Sequence, residues 1–448
     1  MRTPERYAAR TRILAVAAAL ALALATAACS PSATKDQGQA SGGKTTVTVR
    51  IWDDQVLKAY QSSFEAFTKA NPDISVKINL VPYADYFTKL PLDVSGGGID
   101  DIFWLNSSPF GALADSGALL NIDQALPGDK AGWVKAATDQ YTRKGVLWGV
   151  PALTDGRSVV YYNKGLVSAA GVDPANLTWS LDPAADTFLP AAKKLTKDSA
   201  GKSGDQPGFD PTKVTQYAFN AANDLGAIYY NFIGSNGGQF QAPDGSFVFA
   251  QDKSAQAVGY LVGLINTDHV APSAADTNDN GDFGRDKFLQ GKMAMFQSGT
   301  YNLKNVADGA KFDWGIAPML KGPAGRVSVV NSIIAAGNAK TQHKDATIKV
   351  LKWLGSKEGA SFIGQSGAAL PAVTAAQQSY YDFWKAKQVD TTQFGEASGT
   401  ATIEAPFGAK FLDANNAYNP ILKEIFAGRL PVSTGLQQAQ GAANGAIK

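Results

Sequence analysis

The sequence predicts an α/β protein of two lobes, each built on a parallel sheet with helices against its faces. Three observations carry this reading. Strand and helix signals alternate from residue 45 to residue 126, the order that feeds a parallel sheet. A second α/β series opens with "SVVYYNKGLVSAAGVD", just after "GVLWGVPAL" (145–153). The chain has 448 residues, and beyond about 250–300 residues a single hydrophobic core stops growing and chains divide.

The elements follow in order. "TTVTVRIW" (45–52) alternates around β-branched residues and reads as a strand. "QVLKAYQSSFEAFTKAN" places Val56, Leu57, Tyr60, Phe64 and Phe67 on one face of a helix that "NPD" stops. "ISVKINLVPY" is a second strand, and "ADYFTKLPLDVSGG" a helix ended by glycines. "DDIFWLN" is a short buried strand, and "PFGALADSGALLNID" a helix and turn. Further on, "KFLQGKMAMFQSGTYNLKNV" and "FDWGIAPMLKGP" continue the second series, and "KDATIKVLKWLGSKEGASFIG" reads as one helix. The C-terminal third is helical, with no internal repeat.

The N-terminus is an export signal, residues 1–28. "MRTPERYAARTR" is basic, the next sixteen residues carry no charge, and small residues precede Cys29. The apolar run is short for a membrane span. "TAAC" resembles the lipobox of bacterial lipoproteins, in which that cysteine receives a diacylglyceryl group and becomes the mature N-terminus. Cys29 is the single cysteine of the chain, so no internal disulfide competes for it. Residues 29–43 lack any apolar side chain larger than alanine apart from proline and the cysteine itself, and form a flexible tether. Within it "GQASGGKT" (38–45) spells a P-loop. A working P-loop follows a strand and opens a helix; this one follows a tether and precedes a strand, so nucleotide binding is rejected.

The signal carries four arginines and one glutamate, and its removal turns the whole-chain charge of +2 into −1 for the mature protein. The lysines are dispersed with no basic, aromatic-interleaved run, which argues against a nucleic-acid partner. His269 and His343 have no cysteine partners, so no zinc site is expected. "DTNDNGDFGRDK" (276–287) imitates a calcium-binding loop, but its twelfth position is Lys287 where a bidentate carboxylate belongs. No cofactor is expected.

The stretch "FTKANPDISVKINLVPYADYFTKLPLDVSGGGIDDIFWLN" resembles the N-terminal lobe of family 1 extracellular solute-binding proteins, the maltose-binding-protein-like sugar receptors of ABC importers. "LADSGALLNID", "LWGVPALTDGRSVVYYNKGL", "TWS…AAKKLTKD", "GKMAMFQSGTYN", "WGIAPMLKGPAGR" and "LKWLGSKEGASFI" match later landmarks in order. The resemblance implies a type II periplasmic-binding-protein-like fold whose lobes are joined by three hinge crossovers and close on a sugar. Residues 44–154 plus 315–380 would form the N-terminal lobe, and 155–314 plus 381–448 the C-terminal lobe. It also implies a non-catalytic monomer that delivers a carbohydrate to ABC permease subunits while anchored by Cys29 to the outer face of the cell membrane.

Sugar sites pair flat aromatic rings with carboxylates and amides. In open α/β sheets ligands sit beyond the C-terminal ends of strands, which selects Asp53 and Asp54, Asn106 and Ser107, and Asp155. The resemblance points to the same strand ends. Helix capping competes for Asp53 and Asp54, and turn roles compete for Asn106 and Asp155. Trp52 and Trp104 lie within strands, where core packing competes with ligand contact. The resemblance adds Tyr301 in "SGTYN" as a stacking ring and Tyr229 and Tyr230 as further aromatic contacts. It also adds Asn331 and Ser332 where relatives carry glycines, and Asn415 and Asn416 where maltose-type relatives offer an aromatic pair. That last departure turns the expected ligand away from maltodextrins. Trp179, Trp314 and Trp353 are read as core. A secreted glycoside hydrolase is the catalytic alternative; it needs a carboxylate pair, and Glu396 and Glu404 lack convincing partners. A polyol, a peptide or another solute on the same fold is the other alternative.

Overall fold

Three consecutive strands supply three of the five strands of the first sheet. β1 (Thr45–Ile51) lies parallel to β2 (Ile74–Leu80), from Thr45 opposite Ile74 to Ile51 opposite Leu80, and parallel to β3 (Ile102–Leu105) on its other side. The computed structural model describes residues 44–448 apart from residues 129 and 396–398. The signal, Cys29, the tether and Glu396 therefore lie outside the described residues, and β1 begins one residue after Lys44.

The connecting helices form where the pattern predicts. α1 (Asp54–Ala70) buries Val56, Tyr60, Phe64 and Phe67, and α2 (Tyr83–Gly96) stops at Gly97, whose φ of 74° suits a residue without a Cβ. α3 (Ser107–Asp115) follows β3. The sheet is completed from far along the chain, since Ser332–Gly337 inserts between β3 and Val150–Thr154 and runs antiparallel to both. Arg50 of β1 is buried, with Nε 2.7 Å from Asp100 and a terminal nitrogen 2.5 Å from Asp93. A buried guanidinium is tolerated only when paired in this way.

The second sheet departs from expectation. Val159–Asn163 is flanked by Met295–Ser298 and Trp314–Pro318, and both neighbours run antiparallel to it. Alternation of side chains identifies a strand but not its direction, and the long helical excursion before residue 295 lets the chain return either way. The strand Trp314–Pro318 thus belongs with Val159–Asn163, from Trp314 opposite Asn163 to Pro318 opposite Val159. Val327–Val330 pairs with Ala401–Glu404. Residues 315–330, assigned by sequence to the first lobe, accordingly hydrogen-bond within the second. A further difference is a break in the predicted helix 344–364. Lys344–Leu354 and Lys357–Gln365 are separate helices, because Ser356 caps the second by accepting a hydrogen bond from the Gly359 N–H.

The apolar side chains sort into distinct cores. One gathers Val47, Ile51, Tyr60, Phe103, Trp104, Leu153 and Ile334 around the first sheet. Another gathers Trp179, Phe188, Phe219, Phe232, Phe249, Tyr418 and Phe426 among the helices of the second lobe. A third joins Tyr161, Phe288, Tyr380 and Trp384 on the other face of the second sheet. Trp353 is half-buried and donates to Ser63 Oγ at 2.9 Å. Among the described residues, no helix is long and apolar enough to cross a membrane.

Candidate functional site

The first-lobe residues at the strand ends are occupied locally. Asp53 caps α1, its Oδ1 accepting from the N–H groups of Gln55 (2.8 Å) and Val56 (3.2 Å). Burial pushes its carboxyl up, and those two N–H groups partly oppose the shift. Asp54 is exposed on the first turn of α1. Asn106 caps α3 by accepting from Ser108 N at 3.1 Å, and both Asn106 and Ser107 are buried. The capping role, rather than an open contact, is where the structure places Asp53 and Asn106.

Beyond these caps lies an aromatic wall. Trp52 is half-buried and meets Tyr83, Tyr86, Phe87 and Trp104 within ring distances of 4.8–5.9 Å. Trp104 is fully buried. Tyr83 is the outer member, with 58% of its surface exposed. It follows β2 by three residues, at the same edge of the sheet as Trp52.

Across from it stand Tyr301 and two carboxylates. Tyr301 is 41% exposed, and its ring lies over Gly299, where a Cβ would collide with it. The Tyr83 hydroxyl is pushed up to about 12, first by burial and then by the carboxylates of Asp224 and Asp155. The Tyr301 hydroxyl is raised by burial and by the same two carboxylates. Asp155 and Asp224 are thus charged neighbours of both rings, which groups the four side chains. Burial raises the Asp155 carboxyl to about 7. Asp224 is raised as well, again by burial, against the opposing N–H groups of Ala227 and Gly226.

Asp224 is held by an unusual turn. Leu225–Tyr229 is π-helical, with the Tyr229 N–H bonding to the Asp224 carbonyl five residues back at 2.9 Å. The Asp224 side chain caps the turn through Ala227 N at 2.9 Å. Next to it, Asn223 Nδ2 donates to Asn419 Oδ1 at 2.8 Å. Asn415 is half-buried one turn before Asn419 on the helix Phe411–Phe426, and Asn416 is exposed.

Asp155 sits on a clamped crossover. Its N–H donates to the Asn331 carbonyl at 3.0 Å. Gln140 Nε2 donates to Asn331 Oδ1 at 2.9 Å, Gln140 Oε1 accepts from Ser332 N at 3.0 Å, and the Tyr141 hydroxyl donates to the Ser332 carbonyl. Asn331 and Ser332 thus tie the two crossover segments together, and buried Ser332 has little surface to offer a ligand.

Of the sequence-predicted contacts, the structure groups Asp155 and Tyr301, with Trp52 behind Tyr83. Tyr229 and Tyr230 are instead buried, 3% and 7% exposed, against Phe240, with Tyr229 also meeting Phe426. Both rings belong to the core of the second lobe. Tyr83 and Asp224 escaped the sequence reading. The strand-end rule, applied to β2 as to β1 and β3, would have found Tyr83; no local pattern marks Asp224. In the calcium-loop look-alike, Lys423 Nζ pairs with Asp279 at 2.5 Å and Arg285 with Asp282 at 3.0 Å. Glu404 ends the strand opposite Val330 and is exposed.

A family model for bacterial extracellular solute-binding proteins matches residues 53–361. The crystal structure of M. tuberculosis UspC is 52% identical, with a TM-score of 0.71, and the alignment covers 90% of this chain and 100% of that one. The Listeria monocytogenes ABC substrate-binding protein Lmo0181, in complex with cycloalternan, has a TM-score of 0.76 at 21% identity, covering 90% and 98%. The erythritol/L-threitol-binding protein of Mycolicibacterium smegmatis is 25% identical over 440 residues, covering 88% of this chain and 84% of its own.

Proposed function

The chain belongs to the bacterial extracellular solute-binding proteins, and from that premise we propose that it captures a sugar between its lobes and delivers it to an ABC permease. Its family and neighbours are binding proteins of ABC transporters rather than enzymes, and extracytoplasmic. The lobes are taken as 44–154 plus 331–380 and 155–330 plus 381–448. A lipid on Cys29 holds the receptor at the outer face of the membrane, and the tether 29–43 lets it reach the permease.

The observation that carries the sugar reading is the grouping of Tyr83 and Tyr301 with Asp155 and Asp224. Tyrosine faces suit the C–H faces of a pyranose, and each carboxylate accepts several hydroxyl donors that lose water on entry. Neither Asp155 nor Asp224 draws a shift from a lysine or arginine among the described residues. A phosphorylated solute would meet repulsion there, which disfavours it. A polyol is the second reading, because the M. smegmatis relative is named for erythritol and L-threitol and a polyol presents the same hydroxyls without the ring face.

A thermal-shift screen over monosaccharides, oligosaccharides, polyols and peptides tests the proposal. A cognate sugar at 100 times its Kd stabilises the protein by about 2.7 kcal/mol, and is recovered unchanged. Stabilisation by a polyol alone selects the second reading. Stabilisation by peptides alone overturns both.

A further inference from the structure

The cores of the two lobes are bridged at two places. Gln55, in the first turn of α1, donates from Nε2 to Asn305 Oδ1 at 3.3 Å. Asn305 lies on the helix Leu303–Gly309, which packs with Tyr161 and Phe288. Asn305 Nδ2 in turn donates to Asn302 Oδ1 at 3.2 Å, and Asn302 Nδ2 donates to Ser298 Oγ at 2.8 Å. Tyr301 directly precedes Asn302 in the single turn Thr300–Asn302. Asn305 and Asn302 each use the amide oxygen toward one neighbour and the nitrogen toward the next. Turning over any one amide would set donor against donor or acceptor against acceptor, so the chain has a single sense.

The second bridge is steric. Gly111 of α3 faces the backbone of Gly408 and Ala409, and a Cβ on it would lie 2.8 Å from Ala409 N and from Gly408 C. Its neighbours Phe110 and Leu113 belong to the core of the first sheet, whereas Ala405 and Phe411 belong to that of the second lobe. Gly111 therefore permits a backbone-to-backbone approach that any other residue would hold apart.

We propose that Gln55 and Asn305 form a closure clasp, relayed through Asn302 to the adjoining Tyr301, and that the Gly111–Gly408 contact closes with it. The clasp reports the state of a cleft tyrosine to the opposite lobe. Its bridging bond joins two neutral, half-buried amides, so it biases closure without locking it. The relay to a ligand-facing ring rests on the solute-cleft reading above. The clasp itself does not.

Backbone hydrogen exchange of the full chain with no solute added tests it. Gln55→Ala and Asn305→Ala should each speed exchange across residues 408–414 about fivefold, the scale of one lost hydrogen bond, although neither residue touches that segment. The double variant should be no faster than either single one. Gly111→Ala should produce the same acceleration by propping the contact open, and Tyr301→Ala should shift the same residues in the same direction. Unchanged exchange at 408–414 in both single variants, or effects that multiply in the double variant, overturns the clasp. A Tyr301→Ala protein identical to wild type at 408–414 overturns the relay. Because no solute is present, these outcomes stand whatever the solute screen finds.

Discussion

Tyr83 stands edge-on to Trp52, their ring centroids 5.9 Å apart and their planes at 75°. The same tyrosine packs on Phe87 at 5.2 Å. Its back is fixed by aromatic neighbours while its outer surface is exposed. Tyr83→Ala should therefore weaken binding of the solute found by screening by about 1–3 kcal/mol, the burial energy of one large apolar side chain, or roughly five- to 150-fold in Kd. Tyr83→Phe should cost less. Calorimetric titration measures both, and unchanged affinity in the alanine variant removes Tyr83 from the site.

Tyr301 faces the same test with a different control. Its ring is supported by the Gly299 turn and is substantially exposed, so Tyr301→Ala should leave the melting temperature of the empty protein nearly unchanged while weakening the solute by a similar factor. A fall of many degrees without loss of affinity would return Tyr301 to a structural role.

Tyr229 should behave in the opposite way. It is buried against Phe240 and Phe426, and truncating a buried aromatic costs about 3–5 kcal/mol. Tyr229→Ala should lower the denaturation midpoint sharply, with solute affinity of the folded fraction preserved. Lost affinity with stability intact would restore it to the ligand contacts.

Asp155 makes stability depend on pH. Its carboxyl titrates near 7 in the folded protein against 3.8 unfolded. Between those values the folded state holds a proton that the unfolded state has released, so stability falls as pH rises from about 4 to about 7, and the loss is complete above that window. Asp155→Asn removes this term. It should match wild type near pH 4 and exceed it at pH 8 by about 1–3 kcal/mol, a range that allows for solvent screening. Denaturant melts at the two pH values measure the difference, and an equal offset at both contradicts the assignment.

Anchoring should depend on one atom, the sulfur of Cys29. Cys29→Ser is expected to release the protein into the medium or leave its signal uncut, since two acyl chains hold a soluble domain where one does not. Fractionation of cells reads this directly. A serine variant that stays with membranes after signal cleavage argues against lipidation.

Much of the first lobe is legible from sequence because its signals are local. Val56, Tyr60, Phe64 and Phe67 mark the buried stripe of α1, and the apolar run at Ile102–Leu105 marks a buried strand. The direction of Met295–Ser298 and Trp314–Pro318 is set by which strand each meets across the sheet, which no window of neighbouring residues contains. The site divides in the same manner. Asp155 is selected by its place at the end of a strand and Tyr301 by the resemblance, whereas Asp53 and Asn106 have the chemistry of either a cap or a contact, and the N–H groups beside them show the cap. Asp224 lies in "AAND", where neither alternation nor helical spacing operates. Its approach to Tyr83 is created entirely by tertiary packing.

The wide turn at Leu225–Tyr229 amounts to one residue more than a regular helix needs. An insertion or deletion of a single codon there would leave the buried run Phe232–Ser235 in register and swing everything upstream by about 100°, the step of one helical residue. Asp224 would leave the tyrosines while the hydrophobic interior stayed whole. Descent within such a lineage therefore has a short route to new cargo: a change of reading length at one turn, tolerated by the scaffold, exchanges the chemistry of the mouth without redesign of the body.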